Sequence, residues 1–125
     1  MSISIYYEAR RASRLSADEQ ASISDVESKF SIDKHLEEND RTGAGYNWES
    51  FCIYDPSRPT DAGVIFEGAT KLPDNSENAV WDGLRHWCAA LTEIRRIIPD
   101  AEWRVHVDDH DIHWDADLNE YDPSQ

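Results

Sequence analysis

Histidines and aspartates lie close together near the C-terminal end of the sequence, and both side chains can bind metal ions or transfer protons. His106, Asp108, His110 and His113 carry ligand types suited to zinc, nickel or manganese. A histidine beside a carboxylate can also act as a general acid or base. However, neither the His-Glu-x-x-His nor the Cys-x-x-Cys spacing occurs. We therefore expect no bound metal and no cofactor, and a metal-binding domain built on this segment remains the alternative.

Motifs for covalent or phosphate chemistry do not occur either. The sequence has no Gly-x-Ser-x-Gly elbow, no Walker loop and no Gly-x-Gly-x-x-Gly, and Gly43-Ala44-Gly45 is too short to hold a phosphate. Cys88 falls on an apolar helical stripe, where a packed thiol is expected rather than a nucleophile. These observations predict a protein that is not an enzyme, with a small enzyme as the alternative.

The same C-terminal segment is strongly acidic. Residues 100–125 contain nine carboxylates and one cationic side chain, Arg104, within a chain whose formal net charge is −14. A surface of this sign is a poor partner for nucleic acid or anionic membranes and a good one for a basic protein, although acidity can also serve solubility alone. Aromatic side chains beside carboxylates can anchor Arg or Lys. The predicted partner-binding residues are Asp108, Asp109, Asp111, Asp115, Asp117, Glu37, Glu38, Trp48 and Tyr121.

The elements that position these residues follow from apolar periodicity. Alternation predicts strands over residues 3–9, 48–54 and 62–71, with a long polar loop over 31–47 that can hold a helical turn around Lys34 to Glu38. Ser16 and Glu19 form a capping-box pattern before a helix over 17–30. A second capping box, Asp74 with Glu77, precedes a helix whose apolar stripe runs from Val80 and Trp81 to Ile98, where Pro99 ends it.

A final hairpin is predicted from the alternation of residues 103–115. A turn centred on Asp109 and His110 pairs Val107 with Ile112 and His106 with His113. In this register the Trp and aliphatic side chains face one way. Arg104, His106, His113 and Asp115 face the other way, on a sheet face that the helices leave open.

The element order β-α-β-β-α-β-β predicts a single α+β domain over residues 1–125. Its fold is a two-layer sandwich in which two helices cover one face of a mainly antiparallel sheet of four or five strands. A ferredoxin-like core with one additional C-terminal strand is the expected topology. The absence of a signal-like segment and the lone pair of cysteines predict a cytoplasmic protein.

Two resemblances extend this interpretation. The segments 5–11, 15–19, 87–88 and 101–109 resemble small bacterial proteins with no assigned activity. In size, charge and fold class, the chain is similar to the immunity proteins of bacterial contact-dependent and polymorphic toxin systems, although it shares no motif with them. That resemblance implies a protein that neutralises a basic, nuclease-like toxin domain, and it assigns a role to no particular residue.

Overall fold

The computed structural model describes residues 3–34, 37, 41, 51, 53, 63–74 and 77–123. Their order is β-α-β-α followed by four strands, three of them only two or three residues long. The elements are β1 (Ser4–Arg10), α1 (Ala17–Lys29), β2 (Val64–Lys71), α2 (Ala79–Ile97), β3 (Glu102–Val107), β4 (His110–Asp111), β5 (His113–Asp115) and β6 (Glu120–Asp122).

The main sheet has the strand order β2-β1-β3-β4, and all neighbouring strands are antiparallel. Along the chain α1 lies between β1 and β2, and α2 forms the crossover from β2 to β3 past β1, as in the second half of a ferredoxin-like core. The two-layer α+β prediction is therefore confirmed. Of the strand predicted over 48–54, Phe51 and Ile53 are described. Ile53 forms a single antiparallel bridge to Gly68 on the outer edge of β2, and the rest of that prediction lies outside the described residues.

One face of the sheet is buried, and the other is open wherever the structure describes it. Ile5, Tyr7 and Ala9 of β1 are at most 1% exposed, whereas Tyr6 between them is 41% exposed. The period of two along the strand places these alternate side chains on opposite faces. The buried side chains pack with Leu91 and other residues of the two helices in one core.

The first helix begins as predicted. The Ser16 side chain accepts a hydrogen bond from the Glu19 N–H, and the Glu19 carboxylate accepts one from the Ser16 N–H. This reciprocal pair satisfies two amide groups that the first turn of a helix leaves without intrahelical partners.

The start of the second helix differs from the prediction. The capping box of Asp74 and Glu77 is wrong, because α2 begins after Asn78, whose side chain makes no capping hydrogen bond. Pro73 is buried, whereas Asp74, Glu77 and Asn78 are exposed before the helix starts. Trp81 is 43% exposed and lies off the predicted stripe, while the stripe from Leu84 to Ile98 is buried as predicted.

The C-terminal hairpin also has a different register. Val107 pairs with His110, and His106 with Asp111 rather than with His113. A two-residue turn with Asp108 at φ 50° makes this possible. The observed pairing differs from the predicted one by two residues, which keeps the paired side chains on their predicted faces, whereas His113 and Asp115 lie in a different sheet. The alternation of apolar residues excludes a one-residue slip but cannot exclude this one.

After Ile112 the chain leaves the main sheet. β5 and β6 form a separate two-stranded sheet that packs on α2. The Tyr121 N–H donates to the Thr92 hydroxyl at 3.0 Å, and the hydroxyl donates to the Cys88 carbonyl at 2.7 Å. Within the described ranges, neither helix combines the length and apolar character needed to cross a membrane.

Candidate functional site

The turn between β3 and β4 presents two of the predicted carboxylates. Asp108 and Asp109 are both exposed, and the strained positive φ of Asp108 holds them at the tip of the hairpin. Asp is among the few non-glycine residues that tolerate this conformation. The local geometry therefore places two adjacent negative charges in solvent.

Asp111 is also exposed but is partly neutralised. Its Oδ1 accepts a hydrogen bond from Arg104 Nε at 3.1 Å, and both side chains are at least 60% exposed. An exposed pair of this kind contributes little to stability. It nevertheless means that Asp111 is a weaker attractor for an external cation than its neighbours in the turn.

Asp115 shapes the second hairpin. Its Oδ1 accepts hydrogen bonds from the backbone N–H groups of Asp117 and Leu118, at 3.0 and 3.1 Å. These contacts fold the turn between β5 and β6 and leave the side chain of Asp117 exposed. Asp115 is thus a turn-forming residue, whereas Asp117 is free to face a partner.

Tyr121 belongs to the core. It is 6% exposed, its ring lies edge-on to Trp114 at 4.9 Å between centroids, and its hydroxyl accepts a hydrogen bond from Arg95. Burial raises the pKa of Tyr121. The β5–β6 sheet turns Tyr121 towards α2, so it is a buried residue rather than an exposed anchor, and its contact with a partner stays a prediction. Glu37 is exposed, and Glu38 and Trp48 lie outside the described residues.

Several cationic side chains among the described residues form ion pairs with carboxylates of the same chain. Arg11 contacts Glu19 at 2.8 Å and Asp100 at 3.0 Å. Lys29 contacts Glu93 at 2.9 Å. The Arg11 guanidinium, by hydrogen bonding to Glu19, lowers the pKa of that carboxyl to about 2. Because these pairs cancel charge within the molecule, the excess of carboxylates is left to dominate the exposed surface.

The described histidines do not assemble a site. The ring of His106 stacks on Tyr6 with 5.1 Å between centroids, and its Nδ1 lies 2.8 Å from the Asp108 carbonyl oxygen. The predicted pairing with His113 is wrong because His106 faces Asp111 instead. In the part of the chain that the structure describes, no three His, Cys, Asp or Glu side chains converge as a metal site would require.

Cys88 has the environment of a packed thiol. It is 2% exposed on the buried face of α2. Burial raises its pKa to about 12, with a smaller contribution from the charge of Asp122. The reactive thiolate is therefore scarce at neutral pH.

A notch opens where β5 departs from β3. It is a cavity of about 620 Å³, and its walls include Glu102, Trp103 and Arg104 on one side and Trp114 on the other. Arg95 of α2 lies in its floor, with the guanidinium carbon 4.1 Å from the centre of the Trp114 ring. Such a volume falls in the range of about 300–1,000 Å³ typical of ligand pockets.

The sequence contains no local signal for this notch. The sequence places Arg95 in the last turn of a helix and Trp103 on the apolar side of a strand, and neither position indicates a notch. Their convergence depends on the chain leaving the main sheet after Ile112, which is a tertiary event.

No protein-family model matches the chain, and comparisons with curated proteins and with solved structures give no match.

Proposed function

We propose that this protein binds and neutralises a basic protein partner. The main support is the distribution of charge. Arg11, Lys29 and Arg104 are engaged with carboxylates inside the molecule, whereas Asp109 and Asp117 stand exposed at two hairpin turns. A negative field of this kind accelerates the encounter with a cationic partner and helps to exclude anionic ones.

The partner that fits this charge best is a basic toxin domain with nuclease activity, and the protein would then act as its immunity protein in the bacterial cytoplasm. A nuclease domain carries a positive surface because it grips phosphates. An acidic inhibitor can cover that surface directly. Fast capture matters for such a pair because free toxin damages the cell that makes it, and long-range attraction raises the association rate.

The experiment starts with the reading frame adjacent to the gene. Its product is co-expressed with this protein, growth is scored with and without the protein, and the association rate is measured at several ionic strengths. We expect rescue of growth and a rate that falls steeply as salt rises. Replacing Asp109 and Asp117 with Asn should slow association several-fold at low salt and flatten the salt dependence.

A matched variant controls for net charge alone. Asp25→Asn with Asp33→Asn removes the same charge from exposed positions in and just after α1. If the hairpin turns face the partner, this variant associates faster than the hairpin variant at low salt, and the two rates converge as the salt concentration rises. Equal rates for the two variants would place the interface elsewhere. Failure of any basic product to bind would count against the proposed function itself.

A further inference from the structure

The edge of β3 that faces away from β1 is hydrogen-bonded to a neighbouring segment along only half of its length. β4 pairs with His106 and Val107, and the Ile112 N–H donates to the Val105 carbonyl at 2.8 Å. Backbone groups alternate between the two edges of a strand. Since those of Val105 face β4, those of Trp103 face the same way, two residues further along. There the described chain provides no strand to pair with them, and the notch begins.

The side chains that line the notch differ in polarity between the two faces of the sheet. On the open side of the sheet its walls are polar and include Glu102, Arg104 and Asp111. On the core side they are aromatic and include Trp103, Trp114 and Tyr121. An added strand presents alternate side chains to two faces. A polar wall and an aromatic wall on either side of a free backbone edge match that alternation.

The aromatic wall is held in a fixed arrangement. The Trp103 indole N–H donates to the Ile98 carbonyl at 3.3 Å, and its ring lies against Phe66 with 5.4 Å between centroids. Arg95 is fixed over Trp114 and donates to the Tyr121 hydroxyl. A preorganised wall of this kind lowers the entropy cost of binding.

We propose that an extended segment of the basic partner binds in the notch by adding a strand to the free edge of β3. The proposal rests on the proposed function, to which it adds the mode of binding. The segment alternates basic and apolar residues. An apolar residue lies opposite Trp103, exchanges backbone hydrogen bonds with it, and packs its side chain on the aromatic wall.

Charge complementarity with the polar wall determines where the bound segment carries its basic residues. The residues on either side of the apolar one point to the polar wall. Glu102 there is exposed, and among the described residues it has no ion-pair partner, whereas Glu8 is engaged with Arg10 at 2.8 Å and Asp111 with Arg104. The available carboxylate therefore selects a Lys or Arg at the position beside it. Peptide-binding domains that extend a sheet use the same division between backbone affinity and side-chain specificity.

The test uses a capped heptapeptide of alternating lysine and valine. Binding to the full chain is followed by tryptophan fluorescence, and the Trp103 amide by NMR. One version carries N-methyl groups on the valine amides, which face β3 when valine lies opposite Trp103. A matched version carries them on the lysine amides, which face away from β3. We expect saturable binding, protection of the Trp103 amide from exchange, and roughly tenfold weaker binding for the valine-methylated peptide alone.

Equal affinities for the two methylated peptides would overturn strand addition, because charge attraction alone does not distinguish them. So would an unchanged Trp103 amide at saturating peptide. Glu102→Lys should weaken binding of the parent peptide at least several-fold, whereas Asp25→Lys, the same change on α1, should have a much smaller effect. If the peptide fails to bind while the whole partner binds with salt-dependent kinetics, the notch proposal falls and the proposed function stands.

Discussion

Glu19 connects three segments of the chain through one carboxylate. It completes the capping box with Ser16 and receives two hydrogen bonds from Arg11, which also reaches Asp100. The connector after β1 is thereby tied both to the start of α1 and to the turn before β3. A sequence pattern predicts the capping box, but only the fold shows the ion pair.

The pKa of Glu19 gives this contact a pH dependence. Since Arg11 and Ser16 lower the pKa from 4.5 to about 2 in the folded protein, the contribution to stability is complete above pH 4.5. It is lost as the pH falls towards 2. We expect Glu19→Gln to lower the free energy of unfolding at pH 7, with the difference from wild type shrinking below pH 4. Denaturant titrations across this range measure it, and a difference independent of pH would contradict the linkage.

Gly83 is required by close packing. It lies in α2 against Pro73, and a Cβ built there would clash with Cδ of the proline and stand 2.7 Å from its Cγ. Helix propensity favours alanine over glycine by about 1 kcal/mol, but overpacking of a rigid neighbour costs about 1–3 kcal/mol. We expect Gly83→Ala to destabilise the protein by about 1 kcal/mol in thermal or urea unfolding.

The control for that substitution is Ala89→Gly, at an exposed position of the same helix. It should cost about 1 kcal/mol through propensity alone. If propensity also governed residue 83, Gly83→Ala would stabilise the protein by a similar amount. A rise in melting temperature would therefore show that the contact with Pro73 relaxes.

Among the helices and strands, α2 is the element on which both sheets pack. Its buried side carries Trp87 and Leu91 in the main core. Near its C-terminal end, Thr92, Arg95 and Arg96 hold the β5–β6 sheet, the last through a 2.9 Å hydrogen bond to the Asn119 carbonyl. A two-stranded hairpin is marginal by itself in water, so the small sheet depends on this helix.

Thr92→Val tests that dependence. The variant keeps the shape of the side chain and removes the hydroxyl that accepts the Tyr121 N–H in a buried position. Leaving that N–H unsatisfied should cost about 1–3 kcal/mol. Amide exchange at Tyr121 should accelerate more than exchange in β1. Thr92→Ser, which retains the hydroxyl, should lose less stability and keep the Tyr121 amide protected. Equal exchange in both variants would assign the anchoring to Arg95 and Arg96 instead.

The sequence predicts these elements unequally. Helical periodicity identifies the buried stripe of α2, and alternation identifies β1, because each pattern reports one buried face. The β3–β4 register cannot be predicted from alternation, because a two-residue shift leaves every paired side chain on its face. The burial of Tyr121 and the notch depend on where β5 and β6 dock, and no local pattern encodes that choice.

For the molecule as a whole, the net charge of −14 opposes the compact state. Screening should therefore stabilise the fold. We expect the melting temperature to rise as sodium chloride increases from about 0.01 to 0.15 M, over which the Debye length shortens from about 30 to 8 Å. Asp109→Asn with Asp117→Asn should raise the melting temperature at low salt and reduce this salt effect. A melting temperature that falls with salt would mean that ion pairs such as Arg11 with Glu19 outweigh the repulsion.

The position of β1 in the sheet has a consequence for how quickly the protein can fold. β1 lies between β2 and β3, so Tyr7 pairs with Gly68 on one side and Val105 on the other. Both partners are distant along the chain, and bringing them together costs loop-closure entropy before any pairing compensates for it. Topologies of such high contact order fold slowly compared with helical bundles of the same size. During synthesis, one edge of β1 therefore stays unpaired until β2 has been made, and the other until β3 has been made near the end of the sequence.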